Sequence, residues 1–143
     1  MSLSFDPNQN YFYFKNNKTI PLLFIHGVGL DHQMWEPQIR SLNEFSILTY
    51  DILGHGKTPF KKDKVTLEDF SDQINSILSY HEISKINLVG FSLGSLIALN
   101  FALSFQEKLN KLILIGTTYL RSEKERSLVL DRFNQAKLNK PIS

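Results

Sequence analysis

Short, unbroken apolar runs alternate along this chain with longer stretches in which apolar residues recur every three or four positions. The runs are Tyr11-Phe12-Tyr13-Phe14, Pro21 to Ile25, Phe45 to Tyr50, Ile86 to Val89 and Leu112 to Ile115. Runs that are continuous rather than alternating predict strands covered on both faces. Helical spacing predicts a helix capped by Asp31 and running to about Leu42, with Met34, Trp35, Ile39 and Leu42 as its apolar contacts. A second helix opens at Thr66, where Asp69 completes a capping box, and Leu67, Phe70, Ile74, Ile77 and Leu78 form one face. The helix after Ser92 is apolar nearly all round, so it expects cover on more than one side. Ser122 with Glu125 caps a last helix over roughly 123–138. Residues 1–10 are polar and predict a loose start, and Asn16-Asn17 invites a hairpin turn between the first two runs. Strands alternating with helices in this way predict an α/β fold, a mostly parallel sheet flanked by helices. In such a sheet ligands sit at the carboxyl ends of the strands, where His26-Gly27, Asp51, Ser92 and Gly116 all fall.

The totals narrow this picture without changing it. A chain of 143 residues, 42% apolar and 21% charged, suits one soluble globular domain with a real core. The net charge is +2 and the lysines are scattered, with the densest group at Lys61-Lys62-Asp63-Lys64, so a nucleic-acid surface is not expected. There is no cysteine, which excludes disulfides, thiolate metal sites and a thiol nucleophile. No apolar stretch reaches membrane-spanning length and no basic-then-apolar leader opens the chain, so no membrane association and a cytoplasmic location are expected.

The candidate chemistry centres on Gly90-Phe91-Ser92-Leu93-Gly94, where a strand turns sharply into a helix with a hydroxyl at the tip. Glycine at 90 and 94 removes side chains that would collide in so tight a turn. The Leu93 N–H, at the start of the helix, is an unpaired donor beside the serine. His26-Gly27-Val28-Gly29 follows an earlier strand and can bring the Val28 N–H into the same space. Val28 and Leu93 then make a two-donor oxyanion hole, worth about 3–4 kcal/mol of transition-state stabilisation per donor. A dinucleotide site is a weaker reading of the same stretch. Gly27-Val28-Gly29 precedes an acid, Asp51, at the right distance, but the third glycine position is His32. Gly56-Lys57-Thr58 is like the end of a phosphate loop, but Asp51 stands where its first glycine belongs and Pro59 where its helix should begin. Of the four histidines, His81 suits a helix end, His32 is expected at the surface, and His26 and His55 are expected to be structural. No pair has metal-ligand spacing on one element, so no metal is expected.

Taken together, the elbow at Ser92, His26-Gly27 after a strand, and the loop Asp51-Ile52-Leu53-Gly54-His55-Gly56-Lys57-Thr58 resemble the α/β-hydrolase fold superfamily over roughly residues 20–120. The branch it looks most like holds small esterases, enol-lactonases and cofactor-free haloperoxidase-like hydrolases. The resemblance implies that Ser92 is a nucleophile, that His26-Gly27 begins the oxyanion loop, and that the Asp51 loop shapes the site wall. Serine at the elbow implies acyl transfer on a small ester or lactone, and no cofactor. In this fold the acid and then the histidine follow the serine. No histidine follows Ser92 here, so triad acid and base are not expected within the chain. It is therefore expected to be the N-terminal portion of such a hydrolase, with a partial core at 1–120 and the start of a helical cap at 121–143. Pro141-Ile142-Ser143 ends on a residue type that suits an N-cap. Incompleteness implies self-association or a complementing C-terminal chain. A non-catalytic binding or assembly module is the alternative function.

Overall fold

The computed structural model describes residues 2–118 and 120–138. Each predicted apolar run is a strand: β2 (Tyr11–Lys15), β3 (Leu22–Ile25), β4 (Ile47–Tyr50), β5 (Ile86–Phe91) and β6 (Leu109–Ile115). A further strand, β1 (Ser2–Phe5), occupies the stretch expected to be loose. Its cause is Asp6, whose carboxylate accepts the N–H groups of Asn8 and Asn10, both at 2.9 Å, and turns the chain back on itself. β1 then pairs antiparallel with β2.

The six strands lie in the order β1-β2-β4-β3-β5-β6. β2 pairs antiparallel with β4, while β4, β3, β5 and β6 are parallel to one another. The hairpin expected at Asn16-Asn17 is therefore not formed. Asn16 Oδ1 accepts the N–H of Lys18, which has a φ of 58°, and the chain passes beyond β4 before β3 begins.

The described residues form four α-helices: α1 (Glu36–Ser41), α2 (Leu67–Tyr80), α3 (Leu93–Ser104) and α4 (Glu123–Lys137), of which α1, α2 and α3 pack on the sheet or its cores. Asp31 caps as expected, but what it caps is a 3-10 turn, His32–Trp35, that leads into α1. Both predicted capping boxes, Thr66 with Asp69 and Ser122 with Glu125, are present with both reciprocal bonds.

The pleat sends alternate residues to opposite faces, and each face has its own core. Leu23, Leu48, Tyr50 and Leu88 pack against Ile74, Ile77 and Leu78 of α2 and Ile97, Ala98 and Phe101 of α3. Each of the leucine, isoleucine and phenylalanine side chains among them stabilises the fold by about 1.5–3 kcal/mol of apolar burial. On the other face Phe24, Ile47 and Val89 pack with Trp35, whose ring lies 4.8 Å from that of Phe24. This second core is smaller because α1 is only six residues long. Leu128, Val129, Leu130 and Phe133 of α4 are exposed. Pro141, Ile142 and Ser143 lie outside the described residues.

Candidate active site

Ser92 sits between β5 and α3 with φ 53° and ψ −114°. A positive φ at a residue bearing a side chain is strained, and a buried frame has to hold it. The frame is visible. The Ser92 N–H donates to the Ile115 carbonyl at the end of β6, at 2.9 Å. The Ser92 carbonyl accepts both the N–H of Ser95, at 2.9 Å, and its hydroxyl. A methyl group on Gly90 would overlap the backbone of Gly94, and one on Gly94 would overlap the carbonyls of Ile25 and His26. The second glycine therefore answers to β3 as well as to the elbow: the first turn of α3 is seated directly on the end of that strand.

The same contact brings the two predicted halves of the site together. A Cβ on Gly27 would lie 3.4 Å from the Ser92 Cβ and 3.1 Å from the Phe91 ring. Gly27 is buried, whereas the Val28 side chain, which follows it, is 68% exposed. Leu93 turns its side chain into the α2–α3 core, so its backbone is held at the mouth of the elbow. Neither the Val28 nor the Leu93 N–H has an acceptor among the described residues.

His26 is fully buried and ties the β3 loop to the β4 loop. Its Nε2 accepts the Ile52 N–H at 3.0 Å, so the proton resides on Nδ1, which donates to the Gly27 carbonyl at 2.8 Å. Burial holds its pKa below the ordinary value; the neighbouring His55, 5.4 Å away ring to ring, acts in the same direction. Both ring nitrogens are committed to the loop, as expected of a structural histidine.

Sequence reasoning missed the environment of His32. It is 8% exposed, not a surface residue. Its backbone N–H and its Nδ1 both donate to Oδ1 of the fully buried Asp51, at 2.8 and 2.7 Å, and the Lys57 N–H donates to Oδ2 at 2.8 Å. A methyl on Gly56 would overlap that carboxylate. Asp51 is thus the buried knot that closes the Asp51–Thr58 loop over the 3-10 turn. Fully buried, with three donors already on its two oxygens, it is closed to a ribose, which removes the main support for a dinucleotide site. Asp31, His32 and Asp51 each place a potential ligand atom within 4.8 Å of the others. Those atoms are engaged inside the chain, however, with Asp31 Oδ1 accepting the Gln33 N–H at 2.8 Å.

His81 packs among the rings of Phe12, Phe14 and Tyr80. It precedes β5 whereas Ser92 follows it, so about 20 Å of strand separates the two.

The model of the alpha/beta hydrolase fold matches residues 20–139. Among curated proteins, (E)-2-((N-methylformamido)methylene)succinate hydrolase from Acinetobacter baylyi is 27% identical over 92% of this chain and 50% of its own length. Pimeloyl-[acyl-carrier protein] methyl ester esterase from Wigglesworthia glossinidia brevipalpis is 34% identical over 75% of this chain and 40% of its own. Among solved structures, an alpha/beta hydrolase enzyme from a Medee basin deep-sea metagenome library superposes with a TM-score of 0.81 at 17% identity, over 91% of this chain and 50% of that one. The chain thus spans about half the length, or less, of the proteins it matches.

Proposed function

Because the chain belongs to the alpha/beta hydrolase fold family, we propose that it carries the nucleophile half of a serine hydrolase of carboxylic esters or lactones. The observation that carries this reading is the backbone of Ser92, held at φ 53° between two glycines that admit no side chain. Strain of this kind is kept where it aims a side chain.

In the proposed reaction the Ser92 Oγ attacks the acyl carbon and gives up its proton to a general base, which passes it to the leaving alcohol or enol. The tetrahedral oxyanion is received by the N–H groups of Val28 and Leu93, and the alcohol or enol leaves. Water then releases the acid from the acyl-serine. His26, Gly27, Gly90 and Gly94 shape the site. A serine hydroxyl needs a general base, which contributes about 10²–10⁴-fold. No histidine follows Ser92, His26 is committed at both nitrogens, His55 has its Nδ1 3.1 Å from the Leu53 carbonyl of its own loop, and His32 lines the cavity beside α1, which Ser92 does not. We therefore assign the triad acid and base to residues outside this chain, and residues 121–143 to the start of a helical cap. The relatives include an esterase and a hydrolase by name, which supports this chemical class for the site.

The test is labelling of Ser92 by a fluorophosphonate probe, with and without imidazole as a diffusible base. The expected result is slow labelling alone, faster by at least about tenfold with imidazole, and none in Ser92→Ala. Equal labelling of Ser92→Ala would remove the serine from the mechanism. Rapid ester turnover without imidazole would show that the chain supplies its own base.

A further inference from the structure

We propose that the groove between α1 and the β1–β2 hairpin is a second ligand site, one that binds a small amphipathic carboxylate. It arises from a mismatch of lengths. The β1–β2 hairpin extends the sheet beyond β4, but α1 is six residues long and covers only the middle strands. The register places Leu3 opposite Tyr13, and Tyr13 opposite Thr49. This part of the α1 face is left without a helix over it. The result is a cavity of about 550 Å³, within the range of small-molecule sites.

Its chemistry is two-sided. Leu3, Tyr13 and Ile39 supply apolar wall, and Leu3 stays more than half exposed on an edge strand. Burying such surface under an aliphatic tail is favourable. Lys15 and Arg40 line the same cavity against a single lining carboxylate, Glu36, and the His32 ring lines it as well. Lys15 Nζ donates to the Leu42 carbonyl at 3.1 Å, which holds its charge at the α1 end. Arg40 meets Glu36 at 3.3 Å, but both side chains are well exposed, so that pair is weak and open to exchange for a better-placed anion. The His32 ring is fixed through Nδ1 to Asp51, which leaves Nε2 for a ligand. Tyr13 is nine-tenths buried and its hydroxyl has no partner among the described residues. The excess of positive groups selects an anion, and the apolar wall selects one with a tail. None of Val28, Ser92 and Leu93 lines this cavity, so the site stands apart from the elbow.

The test is a calorimetric and NMR titration of the whole chain with octanoate, octanol and octylamine. Octanoate is expected to bind tightest and to shift the resonances of Leu3, Tyr13 and Ile39. Ile39→Trp, which fills the groove, and Arg40→Glu, which reverses an exposed charge, are each expected to weaken octanoate at least tenfold. Arg40→Glu lies on the surface and keeps the test decisive should Ile39→Trp misfold. Octanol binding as tightly as octanoate, shifts confined to Val28 and Leu93, or unchanged affinity in Arg40→Glu would each overturn the proposal.

Discussion

Ser92 adopts a backbone conformation that glycine would adopt at lower cost. Holding a residue with a side chain there costs of order 1 kcal/mol or more. Ser92→Gly is therefore expected to stabilise the chain by about 1 kcal/mol while abolishing probe labelling. Ser92→Ala abolishes labelling without that gain. Urea unfolding of the three proteins decides the matter, and equal midpoints for the glycine and alanine variants would remove strain from the account. His26 makes a second prediction at this scale. Burial holds its folded-state pKa below the ordinary value near 6.5, so the folded protein resists protonation more than the unfolded chain does. Its contribution is fully present above pH 6.5. It is lost as pH falls through 6.5 towards the lower folded value, where the loss levels off. Protonation also removes the Nε2 lone pair that accepts the Ile52 N–H. His81 is shifted the same way by burial and adds to the effect. Unfolding free energy measured from pH 7.5 to 5 should fall for the parent chain. In His26→Gln it should fall less steeply, from a lower starting value.

Among the elements, α3 shows how an apolar helix is covered on its inner side, while Leu103 stays 77% exposed on its outer side. It is flanked by α2 on one side and by β3, β5 and β6 beneath, and its fully buried residues Ile97, Ala98 and Phe101 point into that corner. β6 is the opposite case. It is the last strand of the sheet, and Ile113 and Ile115 on the α1 face are exposed beside Phe24 and Val89. A parallel edge of this kind offers unpaired N–H and C=O groups together with apolar surface. Sedimentation velocity is expected to show concentration-dependent association of the chain. Ile113→Lys with Ile115→Lys is expected to shift it towards monomer; an unaltered distribution in the double variant would place the contact elsewhere. The helix starts were legible because a capping box is local chemistry, complete within four residues, and Thr66–Asp69 and Ser122–Glu125 are both formed. β1 was not legible, because its partner strand and the Asp6 turn that delivers it exist only once the hairpin closes.

Across the whole molecule, the hydrophobic pattern by itself determined five of the strands, the four helices, the α/β class and the placing of Ser92 at a strand-to-helix elbow. These follow from periodicity and from glycine spacing, which act over a few residues. Only the tertiary structure decided which strands are neighbours. β2 lies against β4 instead of β3, since a run of apolar residues states that a strand is buried but not beside what. It also decided that the glycine at 94 answers to the carbonyls of β3, and that His26 spends both ring nitrogens bridging two loops. His32 is the clearest case. Its own neighbours in sequence are polar, and its burial comes from Asp51, which lies 19 residues further on. A contact between residues that far apart leaves no periodic trace in either segment, because it is set by how the sheet brings the ends of its strands together.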